Sequence, residues 1–372
     1  MFAGYPGADT QNFGYDRSGK TIPLHLQSIT TDWDIDHSSD AFAAAYDGGK
    51  LDGWNGEYAC CGQPENFAYA YAPHSEVRTY WQMAARYVLA DHVFQSNLDG
   101  SFVAHQYAIA AYAGREVDYP LGAWGCEGSG NTIATFNPDR TFGPRVPVCE
   151  NYTTLGDELD AAGLSWRYYT YPPLDDGGLW SAYAAIGHIY NGPDWTADVI
   201  TPATRFAGDV AAGRLAAVTW ITPVCERSDH SGCKSRDGQA WVASLVNAVG
   251  ESPFWSTTAI FVIWDDWGGW FDGVAPVYKD YDGLGFRVPL LVISPYAKSG
   301  YVSHVQYESS SVLRFMEDTY GLAPLAASDA RAVDPAGDAF DFTQPPRPYT
   351  PFAAVFHPRG GPAVRPPRVG GD

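Results

Sequence analysis

The chain has 372 residues, with 43 acidic and 23 basic side chains, so its formal net charge at pH 7 is −20. This negative charge argues against a nucleic-acid partner and against electrostatic docking to anionic lipid. No apolar run approaches the roughly 18 residues that a transmembrane segment needs, and the sequence shows no signal peptide. The absence of a clean linker favours one domain over residues 1–343 and a Pro- and Gly-rich tail over 344–372.

Regular elements are predicted from about residue 65 onward, after a polar portion with short helical pieces such as residues 39–46. Hydrophobic spacing defines these elements, and N-cap residues and C-terminal glycines mark the ends of helices. Because strands alternate with helices, they predict an α/β fold with a mainly parallel sheet. The predicted helices cover 75–90, 101–112, 153–162, 241–250 and 310–321, and the strands cover 93–96, 165–171, 215–221, 258–264 and 288–294.

Six cysteines lie in Gly- and Pro-rich surroundings and not in CxxC pairs: Cys60, Cys61, Cys126, Cys149, Cys225 and Cys233. This pattern is typical of disulfides and not of a metal site. Pairing Cys126 with Cys149, and Cys225 with Cys233, would close two short loops, although the sequence does not fix the connectivity. Disulfides would indicate an oxidising compartment, periplasmic or secreted.

The segment at residues 260–274, IFVIWDDWGGWFDGV, carries the first chemical signal. An apolar run there ends on two adjacent carboxylates, Asp265 and Asp266. At that position they would lie at the edge where open α/β sheets bind ligands. Two neighbouring acids repel each other, and a divalent cation would compensate them. A solvated acidic turn is the alternative.

Two histidines follow other predicted strands. Strand 215–221 leads to His230, which has Asp229 beside it and would reach the same sheet edge as Asp265 and Asp266. An imidazole there could bind a metal or hydrogen-bond a phosphoryl oxygen, whereas an ordinary loop hydrogen bond is the simpler alternative. His304, after strand 288–294, is a weaker candidate.

Ser101 is predicted at the N-terminus of a helix that follows a strand, where free backbone N–H groups favour phosphate. If a metal on Asp265 and Asp266 also contacted the hydroxyl, the serine could ionise and attack phosphorus. The alternative is a helix N-cap. The chain has neither a GxSxG elbow nor a P-loop pattern.

Several blocks together resemble the bacterial phosphoesterase family that includes acid phosphatases and non-specific phospholipases C. They are WDDWGGWFDGV, GFRVPLLVISPYAKSGYVSH, SSVLRFMED and SDH, with further similar text in CCGQPENFAYAY, ADHVFQSNLDGSFVAHQYAIA, TTLGDELDAAGLSWRYY and VTWITP. The resemblance implies an alkaline-phosphatase-like three-layer α/β/α fold. It also implies metal-assisted hydrolysis of phosphoric esters by a Ser or Thr nucleophile, with a divalent ion of unknown identity.

The resemblance assigns site residues position by position. Ser101 corresponds to the nucleophile and a metal contact, and Asp265 and Asp266 to acidic metal ligands. His230 corresponds to a histidine that holds the substrate phosphate. The less secure correspondences are a second phosphate-contacting histidine, His188, and a further pair beside the site, His37 and Asp52.

Two departures from the family pattern stand out. Family members begin with an apolar strand ending in a Glu-Asn pair that binds the metal, and text like residues 2–6 follows it. We therefore expect a first strand, with these two ligands, upstream of Met1. Gly273 occupies a position where many relatives have His, so activity could be lower or the substrate range narrower.

The sequence thus predicts a metal-dependent phosphoric ester hydrolase, phospholipase C-like or acid phosphatase-like, acting on a phospholipid head group or a phosphomonoester. An inactive remnant that still binds phosphate esters is the alternative. A secreted glycan-binding protein built on the 13 Trp and 24 Tyr residues is a distant third. The particular phosphoester, the cation and the oligomeric state are not determined by the sequence.

Overall fold

The computed structural model describes residues 1–57, 63–128, 130–174 and 178–357. The strands are β1 (Phe13–Tyr15), β2 (Thr21–Pro23), β3 (His25–Leu26), β4 (Ala70–Tyr71), β5 (Val88–Phe94), β6 (Glu116–Leu121), β7 (Thr132–Thr135), β8 (Val146–Pro147), β9 (Trp166–Tyr169), β10 (Val199–Ile200), β11 (Val218–Ile221), β12 (Ile260–Ile263), β13 (Arg287–Ile293), β14 (Tyr301–Ser303) and β15 (Tyr307–Glu308).

Helices lie in half of the connections between consecutive strands. They are α1 (Ser39–Tyr46), α2 (His74–Arg86), α3 (Ser101–Ala110), α4 (Leu155–Ala161), α5 (Gly187–Tyr190), α6 (Asp194–Ala197), α7 (Phe206–Ala211), α8 (Gly238–Gly250), α9 (Ser311–Tyr320), α10 (Ala327–Arg331) and α11 (Ala336–Ala339). Among the described residues, no helix combines the length and the apolar character that crossing a bilayer demands.

The central sheet has the strand order β12, β13, β5 and β14, and β15 also pairs with β5, next to its C-terminal end. β14 and β15 run parallel to β5, whereas β13 runs antiparallel to both of its neighbours. The buried side chains of the central sheet pack with apolar residues of α2, α8 and α9. This sheet therefore forms the main core, and β5 leads directly to α3.

The predicted α/β class is confirmed, but the central sheet is mixed and not mainly parallel. The reason is the connection from β12 to β13, residues 264–286, which contains no helix. A parallel neighbour needs a long crossover, usually through a helix, whereas a chain that turns back pairs antiparallel. That connection is also the segment that carries Asp265 and Asp266.

A second sheet, β10–β9–β11, is fully parallel and has helices on both faces. Alternate residues of β9 point to opposite layers, as strand geometry requires. Trp166 and Tyr168 pack with side chains of α3 and α4, whereas Tyr169 packs with α7 and α8. The predicted three-layer arrangement is thus present around this sheet.

The outer strands β11 and β12 line one cavity of about 1310 Å³, which continues to the residues that follow both strands. The sequence predicts one sheet edge for the residues that follow these two strands, but the strands belong to different sheets. Their C-terminal ends still reach the same cavity. The expected strand upstream of Met1 concerns residues outside this chain and stays a prediction.

The predicted boundary between the helix over residues 75–90 and the strand that follows it was wrong. The sequence predicts a helix over residues 75–90, but α2 ends at Arg86 and β5 already begins at Val88. Val88, Leu89 and Ala90 are at most 1% exposed. Because they pair with β13 and β14 in the middle of the central sheet, tertiary pairing overrides their helical spacing.

Both suggested disulfides form, Cys126–Cys149 and Cys225–Cys233. Cys60 and Cys61 lie outside the described residues. In the predicted tail, Gln344 and Arg347 bond the carbonyl of Ala297 after β13, and Asn247 of α8 bonds the backbone N–H and carbonyl of Phe352. Residues 358–372 lie outside the described part of the chain.

A buried carboxyl group on β6, Glu116, predicts an unusual pH dependence of stability. Glu116 is 1% exposed, and burial together with the charge of Glu150 raises the pKa of Glu116 to about 9. The unfolded chain releases this proton near pH 4.5, whereas the folded chain keeps it. Stability contributed by the protonated group is therefore present below about pH 4.5 and is lost progressively as the pH rises towards 9.

We expect Glu116→Gln to stabilise the fold at pH 8 by about 2–4 kcal/mol, since one pKa unit corresponds to about 1.4 kcal/mol, and to have little effect at pH 4.5. Urea unfolding at both pH values measures this difference. Glu251→Gln, at an exposed position, is the matched control. The same change in stability at both pH values for Glu116→Gln would contradict the prediction.

Candidate active site

Ser101 is the first residue of α3, and Gly100 is the N-cap. The alternative that Ser101 is itself the N-cap was therefore wrong. A Cβ on Gly100 would lie 2.9 Å from Cδ2 of His37, so glycine allows this histidine to approach the helix N-terminus closely. The Ser101 hydroxyl does not cap the helix. It donates a hydrogen bond of 2.9 Å to Oδ2 of Asp266.

Asp265 and Asp266 follow β12 after one intervening tryptophan. The next residues turn sharply, and Gly268 and Gly269 have φ values of +61° and +76°, which favour glycine. The backbone N–H of Gly268 donates to Oδ1 of Asp266 at 2.7 Å. This turn fixes one carboxylate oxygen of Asp266 and leaves the other for Ser101.

Three imidazoles surround the two carboxylates. His37 Nε2 lies 3.8 Å from Oδ2 of Asp266, and His105 Nε2 lies 3.4 Å from Oδ2 of Asp265. The ring centroid of His230 is 5.6 Å from that of His37. The structure thus brings together five predicted residues, Ser101, Asp265, Asp266, His37 and His230, and adds a sixth, His105.

The electrostatics of the two acids differ. Burial raises the pKa of Asp265, but the hydrogen bond and charge of His105 outweigh this effect and hold it well below its usual value. Burial and the charge of Asp265 raise the pKa of Asp266. Burial lowers the pKa of His37, but Asp266, Asp34 and Asp36 outweigh this and raise it to about 9. At neutral pH, the His37 side chain is therefore an imidazolium.

His230 is held by two neighbours. Its Nδ1 lies 2.6 Å from the carbonyl oxygen of Ser231, and its ring lies 5.8 Å from that of Trp180. A hydrogen bond from Nδ1 to a carbonyl fixes the tautomer of a neutral imidazole and leaves Nε2 as the nitrogen for a ligand. His230 is therefore oriented at the site by the loop that follows β11.

Sequence reasoning missed His105. It lies four residues after Ser101 on α3, and residues at this spacing share one face of a helix. Once Ser101 was a candidate, the same spacing would have identified His105 as its neighbour.

Two predicted residues are not brought to the site. His188 on α5 lies 2.8 Å from Asp157, and its backbone N–H donates to Asn151, so the start of α4 and the loop before it hold it elsewhere. Asp52 lies in the turn after α1, where it interacts with Asp47 and Lys50. Neither residue lines the cavity next to Ser101. Their sequence surroundings matched the family blocks only loosely.

The donor set fits a hard divalent cation. Ser101, Asp265 and Asp266 supply a hydroxyl and two carboxylates close together, and such oxygen ligands suit Mg²⁺, Ca²⁺ or Mn²⁺. Burial and the neighbouring charge of Asp265 both disfavour the ionised form of Asp266 and raise its pKa. A bound cation would compensate the two carboxylate charges.

The fold and the site define an α/β protein with a serine, two acids and three histidines at the C-terminal ends of its strands. When the chain is compared with known families, the family model described as the Phosphoesterase family matches residues 3–323. The chain belongs to this family.

The chain is also similar to several bacterial enzymes. Phospholipase C B of Mycobacterium tuberculosis is 28% identical over 271 residues, covering 61% of this chain and 51% of the relative. Phospholipase C A of the same species is 25% identical, covering 89% and 69%. Non-hemolytic phospholipase C of Pseudomonas aeruginosa is 27% identical, covering 88% and 51%. The chain thus spans about half the length of two of these relatives.

A solved structure of a protein in the alkaline phosphatase superfamily from Vibrio parahaemolyticus also overlaps with this chain. It covers 68% of this chain and 64% of its own, with a TM-score of 0.41 and 8% sequence identity.

Proposed function

We propose that the protein is a metal-dependent phosphoric ester hydrolase with Ser101 as its nucleophile, phospholipase C-like or acid phosphatase-like. One observation carries the proposal: the Ser101 hydroxyl donates to Asp266 at 2.9 Å, at the N-terminus of α3 and beside a second carboxylate. Membership of the phosphoesterase family supports the same reaction class.

The reaction begins when Oγ of Ser101 attacks phosphorus and the P–O bond to the alcohol breaks, which gives a phosphoseryl intermediate. The hydrogen bond to Asp266 gives the hydroxyl proton an acceptor. Water then attacks phosphorus, the bond to Oγ of Ser101 breaks, and inorganic phosphate or a phosphomonoester leaves. The serine regains its proton in this second step.

Asp265 and Asp266 would hold the divalent cation, and Ser101 would contact it. When bound, such an ion lowers the pKa of the serine hydroxyl and offsets the negative charge of the phosphoryl group. His105 would act as a positioning residue, because it lies 3.4 Å from the Asp265 carboxylate.

The other two histidines would act on the phosphoryl group and the leaving alcohol. With a pKa of about 9, His37 carries a positive charge at neutral pH and would stabilise the phosphoryl oxygens. The departing alkoxide needs a proton, which water or His230, when it carries a proton on Nε2, would supply.

The relatives named phospholipase C favour a phospholipid head group as substrate, with a phosphomonoester as the second choice. The two disulfides favour an oxidising compartment, so we propose a periplasmic or secreted location.

Trapping of the intermediate tests the proposal. We expect acid quenching during turnover to leave a label on Ser101, detected by peptide mass spectrometry: a phosphoryl group from p-nitrophenyl phosphate, or a phosphorylcholine group from p-nitrophenylphosphorylcholine. A chelator should abolish both turnover and trapping, and a divalent cation should restore them. Metal-dependent turnover with no label on Ser101 would contradict the nucleophile assignment. Phosphate binding without turnover would favour the inactive remnant.

A further inference from the structure

A second cluster of metal-type side chains lies where β5 meets the residue after β14. Ligand atoms of Asp91, His92 and His304 all lie within 4.8 Å of one another. Asp91 and His92 are adjacent residues of β5, and His304 directly follows β14, which runs parallel to β5. The parallel pairing brings His304 to this place.

The contacts inside the cluster are short. Nδ1 of His304 lies 2.9 Å from Oδ1 of Asp91. Nε2 of His92 lies 3.0 Å from Oδ2 of Asp9, whose backbone N–H donates to the other oxygen of Asp91 at 2.6 Å. The two imidazole centroids are 6.0 Å apart. Each imidazole therefore has a carboxylate oxygen beside one of its nitrogens, His304 that of Asp91 and His92 that of Asp9.

These distances suit a four-coordinate ion. With ligands about 2.1 Å from the metal, as for Zn²⁺, neighbouring ligand atoms in a tetrahedron lie roughly 3.4 Å apart. The separation of 2.9 Å between His304 Nδ1 and Asp91 Oδ1 is below this value, and all three ligand atoms lie within 4.8 Å of one another, so the side chains are close enough to share one ion. His304 is 56% exposed and Asp91 only 7%, so an ion could arrive from solvent and bind a carboxylate held inside the fold.

The charges around the cluster also favour an ion. Asp9 and Asp91 place two carboxylates here, and the guanidinium NH1 of Arg287 lies 3.6 Å from Oδ2 of Asp9. Arg287 forms its shortest ion pair with Asp272, at 2.7 Å. Its charge is thus shared among several acids and does not neutralise the cluster.

We propose that Asp91, His92 and His304 form a second metal site that takes Zn²⁺ or a similar borderline ion, with a water molecule as the fourth ligand. Two imidazoles with a carboxylate favour Zn²⁺, Co²⁺ or Ni²⁺ over Mg²⁺ and Ca²⁺. This donor set differs from the hydroxyl and two carboxylates proposed as ligands at the first site. Bound metal would join the β14 edge to β5, so its role is structural, and it does not depend on the proposed hydrolase activity.

The test uses the full chain with Asp265→Asn and Asp266→Asn, which removes the carboxylates at the Ser101 site. We expect this protein to bind one Zn²⁺ per chain in equilibrium dialysis with metal analysis, and Co²⁺ to give the visible absorption of a tetrahedral site. Zn²⁺ should also raise its thermal unfolding temperature. Adding His92→Gln and His304→Gln should abolish the stoichiometric ion, the absorption and the thermal shift.

His357→Gln is the matched control, because His357 is another partly exposed histidine paired with an aspartate, Asp237, at 2.8 Å. It should leave Zn²⁺ binding unchanged. The proposal is overturned if the parent protein binds no Zn²⁺, or if the His92→Gln and His304→Gln protein binds the same number of ions with the same affinity. Circular dichroism of each variant without metal checks that folding is retained. Because the readout is metal binding, the result is separate from the fate of the hydrolase proposal.

Discussion

Replacement of Ser101 by alanine is expected to lower kcat for p-nitrophenyl phosphate and its phosphodiester analogue by on the order of 10³-fold or more, as for other nucleophiles in covalent catalysis. The loss follows because no other described side chain donates a hydroxyl hydrogen bond to Asp266, so nothing replaces the attacking oxygen. The fold should be retained, since Gly100 and not Ser101 occupies the N-cap position. Steady-state kinetics at saturating metal measures the effect.

Ser311→Ala provides the matched control for that experiment. Ser311 is also a fully buried serine at the first position of a helix, α9, and it does not line the cavity. Its hydroxyl accepts from the backbone N–H of Glu308, so its loss should cost some stability but leave kcat unchanged. If Ser101→Ala kept full metal-dependent activity, Ser101 could not be the nucleophile.

The second large effect is expected for Asp265→Asn and Asp266→Asn, each tested alone. Asparagine keeps the size of the side chain and one oxygen acceptor but removes the negative charge that a hard cation requires. We expect each variant to lose bound Mg²⁺ or Mn²⁺ and to lower kcat/KM by roughly 10²-fold or more. Metal analysis and kinetics across a range of cation concentrations measure both effects.

The two aspartate variants should also differ from each other. Asp266 accepts the hydrogen bond of Ser101, whereas Asp265 lies next to His105, so Asp266→Asn should give the greater loss at saturating metal. The control is Asp139→Asn, at an exposed turn where asparagine can still accept from Thr141. Unchanged metal content and activity in both site variants would rule out a cation at these carboxylates.

The candidate site was largely predictable from strand ends and family blocks. Asp265 and Asp266 follow a short apolar strand, and His230 follows another, so the pattern located them without any knowledge of pairing. His37 rested on the resemblance alone, and the structure places it 3.8 Å from Asp266. His188, with equally loose surroundings, lies by Asp157 instead. The local sequence around a histidine does not determine whether the segment that carries it, such as those of His37 and His188, folds back onto the site.

Apolar periodicity and turn residues by themselves determined the α/β class, the main helices and the placement of Ser101, Asp265, Asp266 and His230 beside strand or helix ends, because these depend on local backbone preferences and burial. Only the tertiary structure decided the mixed direction of the central sheet, the early start of β5 at Val88 and the assembly of the metal-type cluster around His304. Those features depend on pairings between residues far apart in the chain, such as His304 with Asp91. No local pattern encodes such a pairing, since its free energy arises only when both partners are held in place by the rest of the fold.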